Sequence, residues 1–264
     1  MHSTSREPSS NQRHLHPKLA RTVQRHLKAQ SLKPVAPHNM AAFNTLLAEL
    51  ATRPRPLILD SFCGTGHSTA TLARHYPGHL VVGIDKSRHR LGRHPHNQSA
   101  NSLLLQAECE DFWRLLVAAG MGVEQHYLLY PNPWPKAKHL QRRIHGGAGF
   151  AWLVQLAAGN PAGSKLPHSP GSVRIELRSN WQTYVEEFGV AMHLAGFPGI
   201  VARVSPQSAI SLFERKYRDS GHALWAFTAT AGRRFSPGGD DLAPGGTAGL
   251  TPAGSGRDET AHLG

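Results

Sequence analysis

The sequence of 264 residues lacks several features that mark secreted, membrane and metal-binding proteins. Its two cysteines, Cys63 and Cys109, are too few for a disulfide framework, which favours a reducing cytoplasm. No apolar run reaches the roughly 18 residues that a membrane-spanning helix needs, and the first residues lack a hydrophobic signal core. Despite 18 histidines, no Cys/His spacing matches a zinc site, so we expect no metal.

Acidic residues are also scarce. The chain has 17 Asp and Glu against 29 Lys and Arg, which gives a net charge of +12. A surplus of this size attracts phosphates and predicts a nucleic-acid partner, although a generally basic chain without a special partner is the alternative. Residues 1–36 carry seven of the cations against the single acid Glu7. We interpret them as a basic, partly disordered arm that either orders on RNA or stays solvated.

Strand-like and helix-like segments alternate over residues 37–235. Apolar runs predict strands at 57–62, 80–85, 103–106, 127–131, 173–177, 200–204 and 223–230. The alternation predicts a single α/β domain, a doubly wound, mostly parallel seven-stranded sheet of Rossmann-like type, with ligands at the carboxyl ends of the strands. Residues 159–171 are expected to form a loop. The Gly- and Pro-rich residues 236–264 are expected to be a disordered tail.

A glycine loop follows the first predicted strand. In Asp60-Ser-Phe-Cys-Gly-Thr-Gly66, the residues Gly64 and Gly66 allow a sharp turn and a close approach to a ligand. The third glycine of a dinucleotide fingerprint is absent. Asp60 would repel a pyrophosphate and attract a sulfonium or amino group. Asp85, which ends the second strand, can accept hydrogen bonds from ribose hydroxyls. The loop therefore favours S-adenosylmethionine over a dinucleotide as the cofactor.

Acidic residues also follow the third predicted strand. Glu108, Glu110 and Asp111 lie there, and one of them could meet the adenine amino group of the cofactor. We assign this role to Asp111, which could equally cap the helix that we expect over 111–119. Cys63 and Cys109 are interpreted as small loop or core residues and not as nucleophiles.

The fourth predicted strand leads into Pro131-Asn-Pro-Trp-Pro-Lys-Ala-Lys-His-Leu-Gln-Arg-Arg143. The prolines end the strand and hold Asn132 rigidly at its carboxyl end. The cations that follow suit a polyanion, and we expect four of them to contact phosphates: Lys136, Lys138, Arg142 and Arg143. The segment therefore predicts chemistry on a nucleic acid.

These motifs together resemble the bacterial tRNA (guanine-N7)-methyltransferases over about residues 55–230. The segment 131–143 is similar to the family's Pro-Asp-Pro-Trp-x-Lys-x-x-His-x-x-Arg-Arg. Residues 178–184, Arg-Ser-Asn-Trp-Gln-Thr-Tyr, are similar to its Thr-Asp-x-x-x-Tyr. Ser211-Leu-Phe-Glu-Arg215 and Gly221-His-Ala-Leu-Trp225 are similar to its Thr-x-Phe-Glu-x-Lys/Arg and Gly-His-x-x-Trp.

The resemblance implies methyl transfer from S-adenosylmethionine to N7 of guanine 46 in tRNA. The cysteine content and the lack of a long apolar run add the expectation of a cytoplasmic enzyme without a membrane partner, and the sequence leaves the oligomeric state open, with a monomer as one possibility. The resemblance also implies that Asn132 occupies the position of the catalytic carboxylate and adjoins the cofactor. Other roles follow by position. The implied cofactor residues are Asp60, Gly64, Gly66, Asp85 and Asp111, and the implied substrate residues are Lys136, Asn180, Ser211 and Glu214.

The chain departs from the family pattern at a few positions. Asn132 and Asn180 replace two aspartates, Ser211 replaces a threonine, and Phe62 stands where the loop usually has its first glycine. The Asn-Pro-Trp turn also resembles the Asp/Asn-Pro-Pro-aromatic turn of amino methyltransferases, in which an amide oxygen accepts a hydrogen bond from the exocyclic amine. Two alternatives therefore accompany N7 transfer: methylation of another RNA position, and RNA binding without catalysis.

Overall fold

The computed structural model describes residues 5–29, 33–93, 99–159, 173–205 and 207–231. Their strands form one seven-stranded sheet in the order β3-β2-β1-β4-β5-β7-β6. The strands are β1 Leu57–Ser61, β2 Leu80–Asp85, β3 Ser102–Gln106, β4 Gln125–Leu129, β5 Val173–Ser179, β6 Ile200–Val204 and β7 Leu224–Ala231. Strands β1 to β5 are parallel, and β7 runs antiparallel between β5 and β6. The predicted mostly parallel, doubly wound sheet is confirmed.

Eight α-helices surround the sheet in the described part of the chain: α1 Leu19–Lys28, α2 Pro37–Thr52, α3 His67–His75, α4 Arg88–Leu91, α5 Cys109–Ala118, α6 Phe150–Ala157, α7 Gln182–Leu194 and α8 Leu212–Asp219. Two 3₁₀ segments, Ala137–Arg142 and Ile144–Gly146, follow β4. Successive residues of β1 belong to two different buried clusters: Leu57 and Leu59 lie in one, and Ile58 lies in the other. Because side chains alternate across a strand, the two clusters lie on opposite faces of the sheet.

Two of the predicted boundaries that bear on the site were wrong by two residues each. Strand β4 ends at Leu129 and not at Pro131, because Tyr130 adopts a left-handed φ of 56° that cannot continue a strand. Helix α5 begins at Cys109 and not at residue 111. Its N-cap is Glu108, so Asp111 lies inside the first turn and cannot be the capping residue.

The described part of the arm lies against the domain. Helix α1 buries Leu19 and Val23 in the larger core cluster and leaves Arg21 and Arg25 exposed. Most of the predicted loop 159–171 and the whole predicted tail 236–264 lie outside the described residues. Within the residues that the structure describes, no helix has both the length and the apolar composition needed to cross a membrane.

Candidate active site

A cavity of about 720 Å³ opens at the carboxyl ends of the central strands. Strand ends, the turn after β4 and helix α8 all contribute to its wall. Of the ten residues assigned a cofactor or substrate role from the sequence, four line it: Asp85, Asp111, Asn132 and Asn180. The others, Asp60, Gly64, Gly66, Lys136, Ser211 and Glu214, lie outside the lining. The cavity has the size of a site for a cofactor or drug-sized ligand.

The glycine loop after β1 is built from left-handed residues. Phe62, Gly64 and Gly66 have φ values of 64°, 63° and 77°. Glycine adopts this conformation without steric cost, whereas Phe62 adopts it although it carries a side chain. The Phe62 ring lines the cavity and packs edge-on against Trp113, with the ring centroids 6.0 Å apart. The loop thus turns sharply beside the cavity even where the glycine of the family pattern is missing.

Asp85 connects this loop to the end of β2. Its Oδ2 accepts a hydrogen bond from the backbone N–H of Gly64 at 3.0 Å, and its Oδ1 accepts one from the N–H of Ser87 at 2.8 Å. The side chain of Arg90 is half exposed, and its Nη1 lies 3.3 Å from Oδ2. The backbone contacts fix the orientation of the carboxylate. Because Gly64 and Arg90 both donate to Oδ2 and Ser87 donates to Oδ1, one lone pair of Oδ1 remains for a ligand hydroxyl.

Asp60 is fully buried beneath the first turn of α3. Its Oδ2 accepts hydrogen bonds from the hydroxyls of Ser68 and Thr69, both at 2.7 Å. Oδ1 has no hydrogen-bond partner among the described residues. Burial raises the pKa of the carboxyl to about 6, although the two hydroxyl contacts oppose this rise. Asp60 therefore supports the loop from below, and contact with the methionine end of the cofactor stays a prediction.

The acids after β3 are tied to helix α2 by one buried amide. Asn39 donates from Nδ2 to Asp111 Oδ2 at 2.7 Å, and its Oδ1 accepts from the backbone N–H of Glu108 at 3.0 Å. The buried amide thus caps α5 in place of a side chain of α5 itself. Glu108, Glu110 and Asp111 all line the cavity. The structure places all three at the wall, so the choice of Asp111 stays a prediction.

The turn after β4 presents Asn132 to the cavity. The Asn132 side chain is exposed, and its Oδ1 accepts a hydrogen bond from the N–H of Trp134 at 3.1 Å. Trp134 has a left-handed φ of 47°. The guanidinium of Arg142 lies over the indole ring of Trp134, 4.8 Å from its centroid. The turn is therefore fixed by the hydrogen bond between the Asn132 side chain and the Trp134 backbone and by a cation–π contact.

One cation of this segment does not face solvent. Lys136, Lys138 and Arg142 are exposed, whereas Arg143 is 1% exposed and pairs with the buried Glu187. The prediction that Arg143 contacts phosphates was wrong. An arginine next to three exposed basic residues resembles them in sequence, and its carboxylate partner is 44 positions away.

The Ser-x-x-Glu motif forms the start of helix α8. Ser211 accepts from the N–H of Glu214 at 3.1 Å as the N-cap. Glu214 is fully buried and accepts hydrogen bonds from Tyr130 Oη at 3.0 Å and Arg178 Nη1 at 2.7 Å. Its fixed oxygens support the floor of the site, and contact of either residue with the substrate stays a prediction. Asn180 lies at the wall of the cavity, and its Nδ2 is 3.0 Å from Nδ1 of His222.

Sequence reasoning missed the aromatic wall opposite Asn132. Phe213 and Tyr217 of α8 line the cavity, and their rings stack with centroids 6.1 Å apart. Phe213 is 42% exposed. The signal was present, because aromatic residues at i and i+4 share one helix face, but α8 was not predicted as a helix. The wall offers a flat apolar surface of the kind on which nucleobases stack.

The chain's residues fit S-adenosylmethionine. The cavity has the volume for it, Asp85 presents an oriented carboxylate, and Asp60 retains a buried oxygen that bonds to none of the described residues. In agreement, residues 54–160 match the protein family described as "Putative methyltransferase". The match to a methyltransferase family agrees with the predicted cofactor.

Curated relatives carry the comparison further. The chain is 25% identical over 181 residues to a tRNA (guanine-N(7)-)-methyltransferase of Burkholderia thailandensis, covering 66% of this chain and 63% of that protein. It is 29% identical over 182 residues to the protein of the same description from Alcanivorax borkumensis, covering 66% and 71%. The predicted resemblance is thereby confirmed. A solved 16S rRNA methyltransferase, KamB, is 18% identical, with a TM-score of 0.48 over 72% of this chain and 94% of that one.

We expect Asp85→Ala to weaken the binding of S-adenosylmethionine by about 1.5–3 kcal/mol, because the ribose hydroxyls lose a charged acceptor. Isothermal titration calorimetry measures the dissociation constant. Asp219→Ala is the matched control, since that carboxylate is 53% exposed on the last turn of α8. An unchanged dissociation constant for Asp85→Ala would remove Asp85 from the cofactor site.

Proposed function

We propose that this protein transfers a methyl group from S-adenosylmethionine to N7 of a guanine in tRNA, at position 46 as in the family pattern. The observation that carries the proposal is the shared cavity, whose wall combines Asp85, Asn132 and the aromatic face of Phe213 and Tyr217. One end suits a nucleoside cofactor and the other suits a nucleobase. Nucleoside mass spectrometry of tRNA incubated with the protein and S-adenosylmethionine tests the proposal.

The chemistry asks little of the protein beyond positioning. The bound cofactor supplies an electrophilic methyl group, and guanine N7 has an in-plane lone pair that needs no deprotonation. Asp85 holds the ribose, and the rings of Phe213 and Tyr217 receive the base. Positive charge develops on the base as the methyl group arrives. Asn132 would stabilise this charge through its amide dipole, less strongly than a carboxylate would.

Amino methylation is the second candidate, and the geometry of Asn132 motivates it. Its Oδ1 is already engaged by the N–H of Trp134, but a carbonyl oxygen has a second lone pair that could accept from an exocyclic amine. The two candidates differ in product, since one gives 7-methylguanosine and the other an amino-methylated base. RNA binding without turnover is the third outcome, because Asn132 and Asn180 both replace carboxylates.

The proposed substrate indicates the cellular compartment in which the protein acts. We place the protein in the cytoplasm, where unmodified tRNA is available and the free thiols of Cys63 and Cys109 stay reduced. We take a monomer as the acting species.

We expect the exposed lysines after the turn to form part of the tRNA footprint. Replacing both Lys136 and Lys138 by alanine should reduce the slope of log affinity against log salt by about 0.7 to 0.9 per lost phosphate contact. The slope comes from filter binding of tRNA at several salt concentrations. The double variant Arg53→Ala/Arg203→Ala removes two exposed cations elsewhere and is the control. Equal slopes for both double variants would place the footprint elsewhere.

A further inference from the structure

Residues 10–16 of the N-terminal arm cross the turn that presents Asn132. The hydroxyl of Ser10 donates to the carbonyl of Pro135 at 2.5 Å. Gln12 forms a hydrogen bond with each member of a buried ion pair. Its Oε1 accepts from Arg143 Nη2 at 3.0 Å, and its Nε2 donates to Glu187 Oε1 at 2.6 Å. The backbone N–H of His16 donates to the same glutamate oxygen at 2.8 Å. We call residues 10–16 the strap.

The ion pair that the strap completes also holds the turn. Arg143 donates from Nη1 to Glu187 Oε2, and both side chains are essentially inaccessible to solvent. The same guanidinium donates from Nε and from Nη2 to the carbonyl of Trp134, each at 3.3 Å. Its plane lies over the ring of Trp181, 4.9 Å from the centroid. A guanidinium has five donors in a rigid fork, so it can serve Glu187, Gln12 and Trp134 together.

The turn needs such support because its backbone is unfavourable. Trp134 and Tyr130 have φ values of 47° and 56°, in the left-handed region that residues with a Cβ rarely occupy. Conformations of this kind persist where surrounding contacts over-determine them. Tyr130 is fixed by its bonds to Arg178 and Glu214. For Trp134 the described contacts to the backbone come from Asn132 inside the turn and from Arg143 outside it.

We propose that the strap and the Arg143–Glu187 pair are positioning elements that hold Asn132 in place at the cavity. The strap acts through Ser10 on the carbonyl of Pro135 and through Gln12 on the guanidinium that binds the carbonyl of Trp134. The N-terminal arm therefore serves the catalytic turn from inside the protein, in addition to any contact that its cations make with RNA. The catalytic consequence rests on the proposed function, whereas the structural consequence does not.

The test is the double variant Ser10→Ala/Gln12→Ala in the full chain, which removes the strap's side-chain bonds and leaves the ion pair intact. The control is Asn11→Ala/Gln24→Ala, which changes two exposed polar residues of the same arm. Hydrogen–deuterium exchange reports on the Trp134 amide, and steady-state kinetics on tRNA methylation. We expect faster exchange at Trp134 and a kcat lowered about ten- to a hundredfold, as for a misplaced catalytic group, with KM for S-adenosylmethionine unchanged.

The outcomes are distinguishable. Exchange and kcat equal to those of the control would overturn the proposal. A weaker affinity for tRNA with unchanged exchange at Trp134 would also overturn it, because the strap would then act only as an RNA contact. If the wild type makes no methylated product, the proposed function fails by itself. The exchange measurement then decides alone: faster exchange in the double variant supports the positioning role, and unchanged exchange contradicts it.

Discussion

Asn132→Asp should raise the single-turnover rate of guanine N7 methylation by about a hundredfold, the usual worth of one preorganised electrostatic contact to a developing charge. The structure makes this substitution conservative in shape. One carboxylate oxygen can take over the hydrogen bond from the N–H of Trp134, which Oδ1 of Asn132 now accepts. The other oxygen then replaces the amide NH₂ and carries negative charge next to the base, where positive charge develops.

The rate is measured by rapid quench with tRNA, excess enzyme and saturating S-adenosylmethionine, and the product is identified as a nucleoside. Asn44→Asp is the control, because it makes the same chemical change on the exposed face of α2. A wild type that forms 7-methylguanosine faster than Asn132→Asp would show that the carboxylate argument is wrong here. An amino-methylated product from both proteins would identify amino methylation as the reaction. If neither protein turned over, RNA binding without catalysis would be the remaining function.

Glu187→Ala should lower the free energy of unfolding by about 3–5 kcal/mol, because it leaves the charge of Arg143 buried without its partner. Glu187 Oε2 accepts a hydrogen bond from Arg143 Nη1. The same oxygen lies 3.1 Å from Nε2 of His145. It also anchors the strap through Gln12 and His16. The loss appears as a lower midpoint in urea unfolding. Glu186→Ala is the control, since the one side-chain hydrogen bond of Glu186 to the described residues is to Gln182 on the surface of α7.

The effect of Glu187 should depend on pH. Burial raises the pKa of its carboxyl, but the hydrogen bond from His145 and the charge of Arg143 lower it more, from 4.5 to about 2. A carboxyl whose pKa is lowered by folding stabilises the folded state fully at pH values above its pKa in the unfolded chain. This contribution is lost as the pH falls from about 4.5 towards about 2. The stability difference between wild type and Glu187→Ala should therefore narrow in that range. A difference that stays constant down to pH 2 would contradict the assignment.

The sheet could be predicted from the sequence because its signal is local. Strands such as β1 and β2 are continuous apolar runs that end in Asp60-Ser61 and Asp85, and buried parallel strands have this pattern. The alternation with helices then determines the architecture. Helix α8 was missed because five of the eight residues of Leu212–Asp219 are charged and only Glu214 is buried, so the sequence shows no apolar stripe.

The cavity could be predicted only in part, because its geometry depends on contacts between distant segments. Asp85 and Asn132 were found because Asp85 ends strand β2 and Asn132 lies in the turn that follows strand β4. The burial of Arg143 could not be predicted, since it depends on Glu187 in α7 and on Gln12 in the arm. The same holds for Asn39, an unremarkable polar residue in sequence that is fully buried and joins α2 to the acids after β3.

The most direct test of the proposed function is the identity of the methylated nucleoside. Unmodified tRNA transcripts are incubated with the wild-type protein and S-adenosylmethionine, digested, and analysed by mass spectrometry against nucleoside standards. We predict 7-methylguanosine, located at position 46 by cleavage of the modified tRNA at that nucleotide. An amino-methylated base, or no methylated nucleoside from a protein that calorimetry shows to bind both S-adenosylmethionine and tRNA, would contradict it.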